Sequence, residues 1–367
     1  MELAREYNAL LTLVKAGLWH KRITDCTLFP LTRLEWYSVL ELAHKQTVTG
    51  LLYRGLDYLP DQHLPPYDFM PQLVAEIDQI ENINKKVNDT VLSLFHLFKK
   101  HDLHPILQKG QGAATMYIDP LLRIPGDIDL FFPNKDEHKK ALEILTEQNV
   151  SFEKMPDGAI SYKWNGIDVE HHTKLLDIYS PFAIRRLDKV LDYTKALKVS
   201  IGSSPENTID IPLPKQNLLL MTSHILKHAI GHGIGLRQLC DLARACHELN
   251  NEVESNEMKE IYSVAGISKW AKLLYSFMVE WLGLPENASP YKEPNKDLRT
   301  TELMNIIISG GNFGQYNRKK SYGSIWKRKL QTFTSFCSHA RFSLSIAWQE
   351  TVWTTLSLVK GQLNGER

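Results

Sequence analysis

Hydrophobic positions up to about residue 100 recur every three or four residues, which is the spacing of one face of an α-helix. The pattern is clearest in the segments ALLTLVKAGLW, LEWYSVLELAHKQ and KKVNDTVLSLFHLFKKH. The segment YLPDQHLPPYDFMP interrupts it, because proline ends helices and disfavours helical conformation in the preceding residue. The pattern therefore predicts an N-terminal helical region over residues 1–100.

Short apolar runs replace this pattern from about residue 104. HPILQKG and GDIDLFFP predict strands, whereas QGAATMY and KDEHKKALEILTEQN predict helices. AISYKWN and GIDVEHHT alternate with the period of a strand, and Asn165-Gly166 between them is a strong signal for a two-residue hairpin turn. Residues 101–205 are therefore predicted to form a small mixed β-sheet core.

Helical spacing returns after PENTIDIPLP, which we interpret as a linker or an edge segment. KQNLLLMTSHILKHAIGHG and LRQLCDLARACHELN predict a helical pair, so residues 206–367 are assigned to a C-terminal helical domain. The predicted fold class is α+β, with a small mixed sheet flanked by N-terminal and C-terminal helical regions.

Composition narrows the class of protein. Hydrophobic residues make up 43% of the chain and charged residues 23%, as in ordinary globular proteins, and the formal net charge of +1 gives no strong nucleic-acid signal. The four cysteines lack Cys-x-x-Cys spacing, which favours reduced thiols and a cytoplasmic location over a disulfide framework. We find no signal-peptide pattern and no apolar run of about 18 residues, so no membrane span is predicted.

Two acids, Asp127 and Asp129, lie inside the strand predicted for GDIDLFFP. Side chains two residues apart in a strand point to the same face, so the two carboxylates should stand side by side while Ile128 and Leu130 face the core. Magnesium suits such a pair, because it prefers carboxylate oxygens and shares its shell with phosphates. Acid-x-acid triplets also arise by chance, as in Glu252-Val253-Glu254, which we assign to the surface. A solvent-facing strand edge therefore stays as the alternative to a metal site.

The next strand, in GIDVEHHT, offers a third acid. Asp168, Glu170 and His172 share one face of it, and His171 faces the other way. Glu170 is preferred over Asp168, which lies close to the predicted turn. Three carboxylates from two strands can hold two Mg²⁺ (or Mn²⁺) ions, of which one activates an attacking hydroxyl and the other steadies the leaving phosphate.

These residues resemble those of a family of uncharacterised bacterial nucleotidyltransferases within the superfamily that has the DNA polymerase beta fold. The resemblance is carried by Lys109-Gly110, Tyr117, Arg123, Gly126-Asp127-Ile128-Asp129 and the VEHH segment at 169–172. Two later segments, GHGIGLRQLCDLAR at 231–244 and SGGNFGQ at 309–315, extend it. It implies transfer of a nucleotidyl group from a nucleoside triphosphate such as ATP, with Asp127, Asp129 and Glu170 as catalytic and metal-binding residues and His172 beside them.

The resemblance also implies a phosphate-binding role for Lys109, Gly110, Gln111, Gly112, Arg123 and Gly126. Better-known members of the superfamily carry Gly-Ser where this chain has Lys-Gly-Gln-Gly. The preferred nucleotide therefore stays open, and a non-catalytic nucleotide-binding or interaction module is the alternative function. The acceptor is unknown: a small molecule, a sugar, a protein side chain or an RNA end all fit.

Further polar residues lie in the predicted C-terminal helices. His224, His228 and His232 drift along one helix face, where they could bind a metal or make polar contacts facing the cleft or between helices. Arg237 and Asp241 are one turn apart and are expected to pair with each other or with neighbouring polar groups. By analogy with the fold, a cleft-facing Arg237 or His228 would contact the nucleotide or the acceptor.

The segment RKKSYGSIWKRK at 318–329 interleaves basic and aromatic residues. This composition suits single-stranded RNA or an anionic membrane surface, since both attract cations and accommodate aromatic rings. A solvated loop that leads into a C-terminal helix is the preferred interpretation, and RNA binding through this basic segment stays as a second alternative function.

Overall fold

The computed structural model describes residues 3–155, 158–202, 204–231, 233–291, 299–310 and 342–357. It confirms the α+β fold class, with a five-stranded mixed sheet, a two-stranded sheet and helices packed around them. His232, most of the segment 309–315 and the basic segment 318–329 lie outside the described residues, so the predictions made for them stay predictions.

The N-terminal region is helical, as predicted. Its helices are α1 (Arg5–Trp19), α2 (Arg33–Gln46), α3 (Thr49–Leu56) and α4 (Met70–Lys99). Short 3-10 turns occupy the proline-containing segment between α3 and α4, because proline lacks the N–H that an α-helix needs. Each of these helices buries an apolar face in a core that is shared with the rest of the chain.

The central region contains the larger sheet. Its strands and helices are β1 (Ile106–Gln108), α5 (Gly110–Ala114), β2 (Ile128–Phe131), α6 (Lys135–Glu147), β3 (Glu153–Lys154), β4 (Ile160–Trp164), β5 (Ile167–His172) and α7 (Pro181–Leu187). The strand order is β1-β2-β5-β4-β3, with β2 and β5 parallel and the other neighbours antiparallel.

The hairpin between β4 and β5 turns at Asn165 and Gly166, as predicted. Their φ angles are +52° and +78°, the left-handed conformation that a two-residue hairpin turn requires and that Asn and Gly adopt most readily. The turn fixes the register of β5 against β4, and on the other side of β5 Glu170 lies opposite Asp129 of β2.

A second sheet follows, in which β6 (Ala196–Ser200) pairs antiparallel with β7 (Thr208–Pro212). For PENTIDIPLP the linker interpretation is therefore wrong and the edge-segment interpretation holds. Ile209 and Ile211 alternate with less buried residues and anchor β7 in the core, which a linker would not do.

The C-terminal region is helical, with α8 (Pro214–Gly231), α9 (Leu236–Glu248), α10 (Ser255–Val264), α11 (Ser268–Leu282), α12 (Thr300–Gly310) and a further helix at 342–357. It packs directly on the N-terminal helices: Trp19 Nε1 donates to the carbonyl of Leu282 at 2.6 Å, and the Gln46 side chain donates to Ile307 and accepts from the Leu236 N–H. Among the described residues, no helix has the length and apolar character needed to cross a membrane.

Candidate functional site

An open cleft of about 240 Å³ lies between the larger sheet and helices α8 and α9. Most of the residues singled out in the sequence line it, although they come from distant segments. Those that line it are Lys109, Gly110, Arg123, Gly126, Asp127, Asp129, Glu170, His172, His224, His228, Arg237 and Asp241. The cleft is therefore the place where the predicted chemistry can occur.

Asp129 and Glu170 stand side by side on one face of the sheet, because they are register partners on β2 and β5. His172 follows two residues later on the same face, and its Nε2 donates to Asp129 Oδ1 at 2.8 Å and lies 3.4 Å from Glu170 Oε2. One ligand atom from each of the three residues lies within 4.8 Å of the others. This arrangement can hold a metal ion.

Charges within this cluster shift the pKa values in opposite directions. Burial would raise the pKa of Asp129, but Lys109 and His172 outweigh burial and hold it below its usual range. Burial would lower the pKa of His172, but its bonds to Asp129 and Glu170 raise it to about 9. At neutral pH the cluster therefore contains an ionised Asp129 and an imidazolium.

Asp127 lies just before β2 and is exposed on the open side of the cleft. The charge of Asp129, followed by desolvation, raises the pKa of Asp127 to about 6. Asp127 is not part of the three-residue cluster, so its role as a metal ligand stays a prediction. Repulsion between the two aspartates therefore favours the protonated form of Asp127, which Lys109 partly opposes.

Lys109 and Gly110 form a tight turn between β1 and α5, with φ angles of +42° and +48°. Lysine rarely adopts a positive φ, and such strained residues cluster at functional sites. The turn brings the Lys109 ammonium to 3.3 Å from Asp129 Oδ2, and a β-carbon at Gly110 would lie 3.4 Å from the Asp127 carbonyl oxygen. Lys109 and the aspartates therefore form one group.

Gln111 and Gly112, in contrast, lie away from the cleft. The Gln111 side chain is buried and donates to Asn84 and Asn88 of α4, and a β-carbon at Gly112 would lie 3.0 Å from Ile211. Both residues therefore serve the packing of α5 against its neighbours. They could contact phosphate only through their backbone N–H groups.

Arg123 is held by Asp241 in a bidentate ion pair, with Nε–Oδ1 and Nη2–Oδ2 distances of 2.7 and 2.8 Å. The Tyr117 hydroxyl also donates to Asp241, at 2.7 Å. The expected pairing of Arg237 with Asp241 is wrong: Arg237 instead donates to backbone carbonyls of Ile124 and Pro125. Its alternative, pairing with neighbouring polar groups, holds, and Arg123 takes the bidentate position on Asp241 instead.

Asp177 is a cleft residue that the sequence analysis missed. It follows β5 in a loop, where neither strand nor helix periodicity identifies it, and it accepts from His224 Nδ1 at 2.7 Å and Lys227 Nζ at 3.0 Å. His224 Nε2 in turn lies 3.1 Å from His228 Nε2. Polar contacts facing the cleft, as predicted, are therefore observed for His224 and His228, and His224 Nδ1 also lies 3.4 Å from Lys109 Nζ, which links this group to Asp129.

The residues present fit a divalent cation. Asp129 and Glu170 offer hard carboxylate oxygens on one face of the sheet, and Asp127 lines the same cleft with a third carboxylate. His172 and Lys109 supply the balancing charge beside Asp129 in the described structure.

The fold and the cleft thus define a mixed α+β protein with a carboxylate cluster suited to metal-assisted chemistry. A family model described as uncharacterised nucleotidyltransferase matches residues 32–283, and the chain belongs to that family. This membership indicates a general nucleotidyl-transfer function. Comparison with curated proteins and with solved structures gave no significant match. The polymerase beta-like superfamily, the bacterial origin and the cytoplasmic location stay predictions.

Proposed function

We propose that this protein is a metal-dependent nucleotidyltransferase. An acceptor hydroxyl attacks the α-phosphate of a nucleoside triphosphate, the nucleoside monophosphate is transferred, and pyrophosphate leaves. The observation that carries the proposal is the pairing of Asp129 with Glu170 at the edge of a cleft, in a chain that belongs to a nucleotidyltransferase family.

Asp129 and Glu170, with Asp127, would hold the metal, which we propose to be two Mg²⁺ (or Mn²⁺) ions. Bound divalent cations supply charge neutralisation at the phosphates and lower the pKa of the attacking hydroxyl. Glu170 takes the proton of that hydroxyl, because a carboxylate beside the attacking oxygen can act as a general base.

Lys109 supports the phosphates in this proposal. Its ammonium pairs with Asp129 at 3.3 Å, so it lies next to the place where the metal-bound phosphate would bind. Asp129 would hold the cation, and Lys109, which pairs with Asp129 in the structure, would then donate N–H groups to phosphate oxygens. The backbone of the tight turn at Gly110 allows the close approach that this contact needs.

The acceptor would bind against the part of the cleft wall that Asp177, His224 and Lys227 form beyond Lys109. Asp177, His224 and Lys227 line that wall with hydrogen-bonding groups of both signs. Such a surface suits a polar acceptor with several hydroxyl groups.

A non-catalytic nucleotide-binding module is the second candidate, and one observation favours it. Lys109 and His172 already balance the charge of Asp129, so the cluster is electrostatically stable without a metal. This candidate predicts that the protein binds nucleotide but releases no pyrophosphate, whichever acceptor is added.

Calorimetric titration with the four nucleoside triphosphates and Mg²⁺ tests the proposal. We expect metal-dependent binding in the wild type and its loss in Asp127→Asn/Asp129→Asn. The matched control is Glu252→Gln/Glu254→Gln, which makes the same charge change in another acid-x-acid triplet at exposed positions. Equal binding by both double variants, or no binding by the wild type, would contradict the proposal. Pyrophosphate release during acceptor screening then separates transfer from binding alone.

A further inference from the structure

Arg237 is a buried cation with no carboxylate of its own. Arg237 is 9% exposed. Its Nη1 donates to the carbonyls of Ile124 at 2.8 Å and Pro125 at 3.3 Å. Within the described ranges, no Asp or Glu oxygen lies within 4.0 Å of its guanidinium, and its buried Nε has no hydrogen-bond partner. Its direct hydrogen bonds therefore go to backbone carbonyls and not to a carboxylate.

The nearby carboxylate of Asp241 forms its ion pair with Arg123 and not with Arg237. Arg123 is 6% exposed and occupies both oxygens of Asp241, while Tyr117 donates to one of them as well. The Nη1 of Arg123 is also buried without a hydrogen-bond partner. Two guanidinium groups thus share the carboxylate of Asp241, which forms hydrogen bonds to Arg123, and the charge of Asp127 acts on both of them without an ion-pair contact to either.

This positive group faces the cleft next to the aspartates. Arg123, Arg237, Gly126 and Asp127 all line it. A β-carbon at Gly126 would lie 4.0 Å from Arg237 Nη2, so the glycine keeps that side of the guanidinium clear of a side chain. The negative charge of Asp127 acts on both Arg237 and Lys109, which places Asp127 within electrostatic reach of the two cations.

A buried charge without a counterion is unfavourable unless an anion approaches it. The planar fork of a guanidinium matches phosphate oxygens, to which it can donate two parallel hydrogen bonds. We propose that Arg237, supported by Arg123, binds the β- and γ-phosphates of the nucleoside triphosphate, which leave together as pyrophosphate. This inference rests on the proposed function.

In this arrangement the bond from the α-phosphorus to the bridging oxygen breaks, and the departing pyrophosphate keeps the electron pair. The fixed charge of Arg237 stabilises the negative charge that grows on that oxygen and its neighbours. The new bond joins the acceptor oxygen to the α-phosphorus, and the acceptor proton goes to Glu170. Arg237 thus acts at the leaving-group side of the cleft.

Calorimetric titration with inorganic pyrophosphate, with and without Mg²⁺, tests the inference independently of any acceptor. We expect Arg237→Gln to weaken binding at least about tenfold, since a hydrogen bond to a charged group is lost, and Arg237→Lys to weaken it less.

The matched control is Arg244→Gln. Arg244 is a buried arginine of the same helix that donates to the Met116 carbonyl at 2.8 Å and does not line the cleft. Its substitution should leave affinity within about twofold, with circular dichroism confirming that each variant is folded.

Unchanged pyrophosphate affinity in folded Arg237→Gln would overturn the inference, and so would a wild type that binds no pyrophosphate under either condition. A competition titration shows whether the phosphates that bind at Arg237 belong to the nucleotide or to a phosphorylated acceptor. Mutual exclusion of pyrophosphate and ATP supports the assignment, whereas simultaneous binding overturns it.

The two proposals fail in different ways. Triphosphate binding that is insensitive to Asp127→Asn/Asp129→Asn contradicts the metal-dependent transferase, while Arg237-dependent pyrophosphate binding still supports the anion site. Triphosphate binding that depends on the aspartates but not on Arg237 contradicts the anion site alone.

Discussion

Asp129 and Glu170 are direct register partners across the parallel strands β2 and β5, and the Nε2 of His172 lies between their carboxylates. The protein thus keeps two acids together by placing an imidazolium beside them. A metal bound by these acids would have to displace that positive charge or coordinate the neutral ring. Metal affinity and protonation are therefore coupled at this site.

Metal affinity should rise with pH. Asp129 raises the pKa of Asp127 to about 6, so below pH 6 a proton competes for Asp127, and affinity should fall about tenfold per pH unit there if Asp127 is a ligand. Between pH 6 and 8 affinity should rise further to the extent that metal binding releases the proton that His172, with its pKa raised to about 9, still carries. Titration with Mn²⁺ followed by electron paramagnetic resonance at pH 5, 6, 7 and 8 measures this.

The Asp127→Asn variant is the control for that dependence. It should bind Mn²⁺ more weakly and lose the steep part of the profile below pH 6. An identical profile in this variant would show that Asp127 does not take part in metal binding.

Asp241→Asn should be strongly destabilising. The carboxylate of Asp241 is the shared counterion of Arg123 and the nearby Arg237, and its loss leaves two buried guanidinium charges. We expect the free energy of unfolding in urea to fall by about 3–5 kcal/mol. Tyr117→Phe removes only one hydrogen bond to the same carboxylate and should cost about 1 kcal/mol. Equal effects of the two substitutions would contradict this account.

Glu350 makes stability depend on pH. Its carboxylate accepts from the backbone N–H groups of Tyr179 and Ser180, but burial outweighs these bonds and raises its pKa from 4.5 to about 7. The folded state therefore favours the protonated acid: this stabilisation is complete below pH 4.5 and is lost as pH rises through 7. The shift corresponds to about 3 kcal/mol.

Glu350→Gln keeps an acceptor oxygen and removes the titration. Relative to the wild type, its free energy of unfolding should rise by up to about 3 kcal/mol between pH 4.5 and 8. Urea denaturation at both pH values measures the difference, with exposed Glu252→Gln as the control that should show no such change. A pH-independent difference between Glu350→Gln and the wild type would rule out the buried carboxyl as the cause.

Gly17→Ala tests the packing of α1 on α3. Helix propensity alone predicts that alanine stabilises α1 by about 1 kcal/mol. A β-carbon at Gly17, however, would overlap the carbonyl oxygen of Leu51, which belongs to the backbone and cannot turn away. We expect a net loss of about 1–3 kcal/mol in the free energy of unfolding.

Gly310→Ala is the comparison for that substitution. A β-carbon at Gly310 would find Gly233 Cα at 3.7 Å, an ordinary van der Waals distance. It should change stability by less than about 1 kcal/mol. A stabilising effect of Gly17→Ala would show that the two helices can separate at little cost.

Local patterns predict a large part of this fold. Alternation and the Asn165-Gly166 turn predict that Glu170 and His172 share a face, because strand periodicity is a local property. The sequence also predicts that Asp129 and Glu170 lie close together, because carboxylates on neighbouring strands can share a metal ion. These predictions needed only neighbouring residues.

Other features could not be predicted, because they depend on contacts between distant segments. Arg123 pairs with Asp241 rather than leaving it to Arg237, although Arg237 is one helical turn away from that acid. Asp177 lies in a loop without periodicity, and its role depends on α8 packing beside it. Gln111 likewise donates its side-chain hydrogen bonds to Asn84 and Asn88 of α4, more than 20 residues earlier in the chain.

The short turn at Asn165-Gly166 has a further consequence, because it determines which of two consecutive histidines reaches the cleft. In the observed register His172 contacts Asp129, whereas His171 is fully buried and its Nε2 bonds to the Tyr162 hydroxyl. One residue more or fewer in the turn would exchange the two faces of β5. Glu170 would then point into the core and Val169 into the cleft, so the chemistry of the cleft depends on the length of a turn that carries none of its ligands.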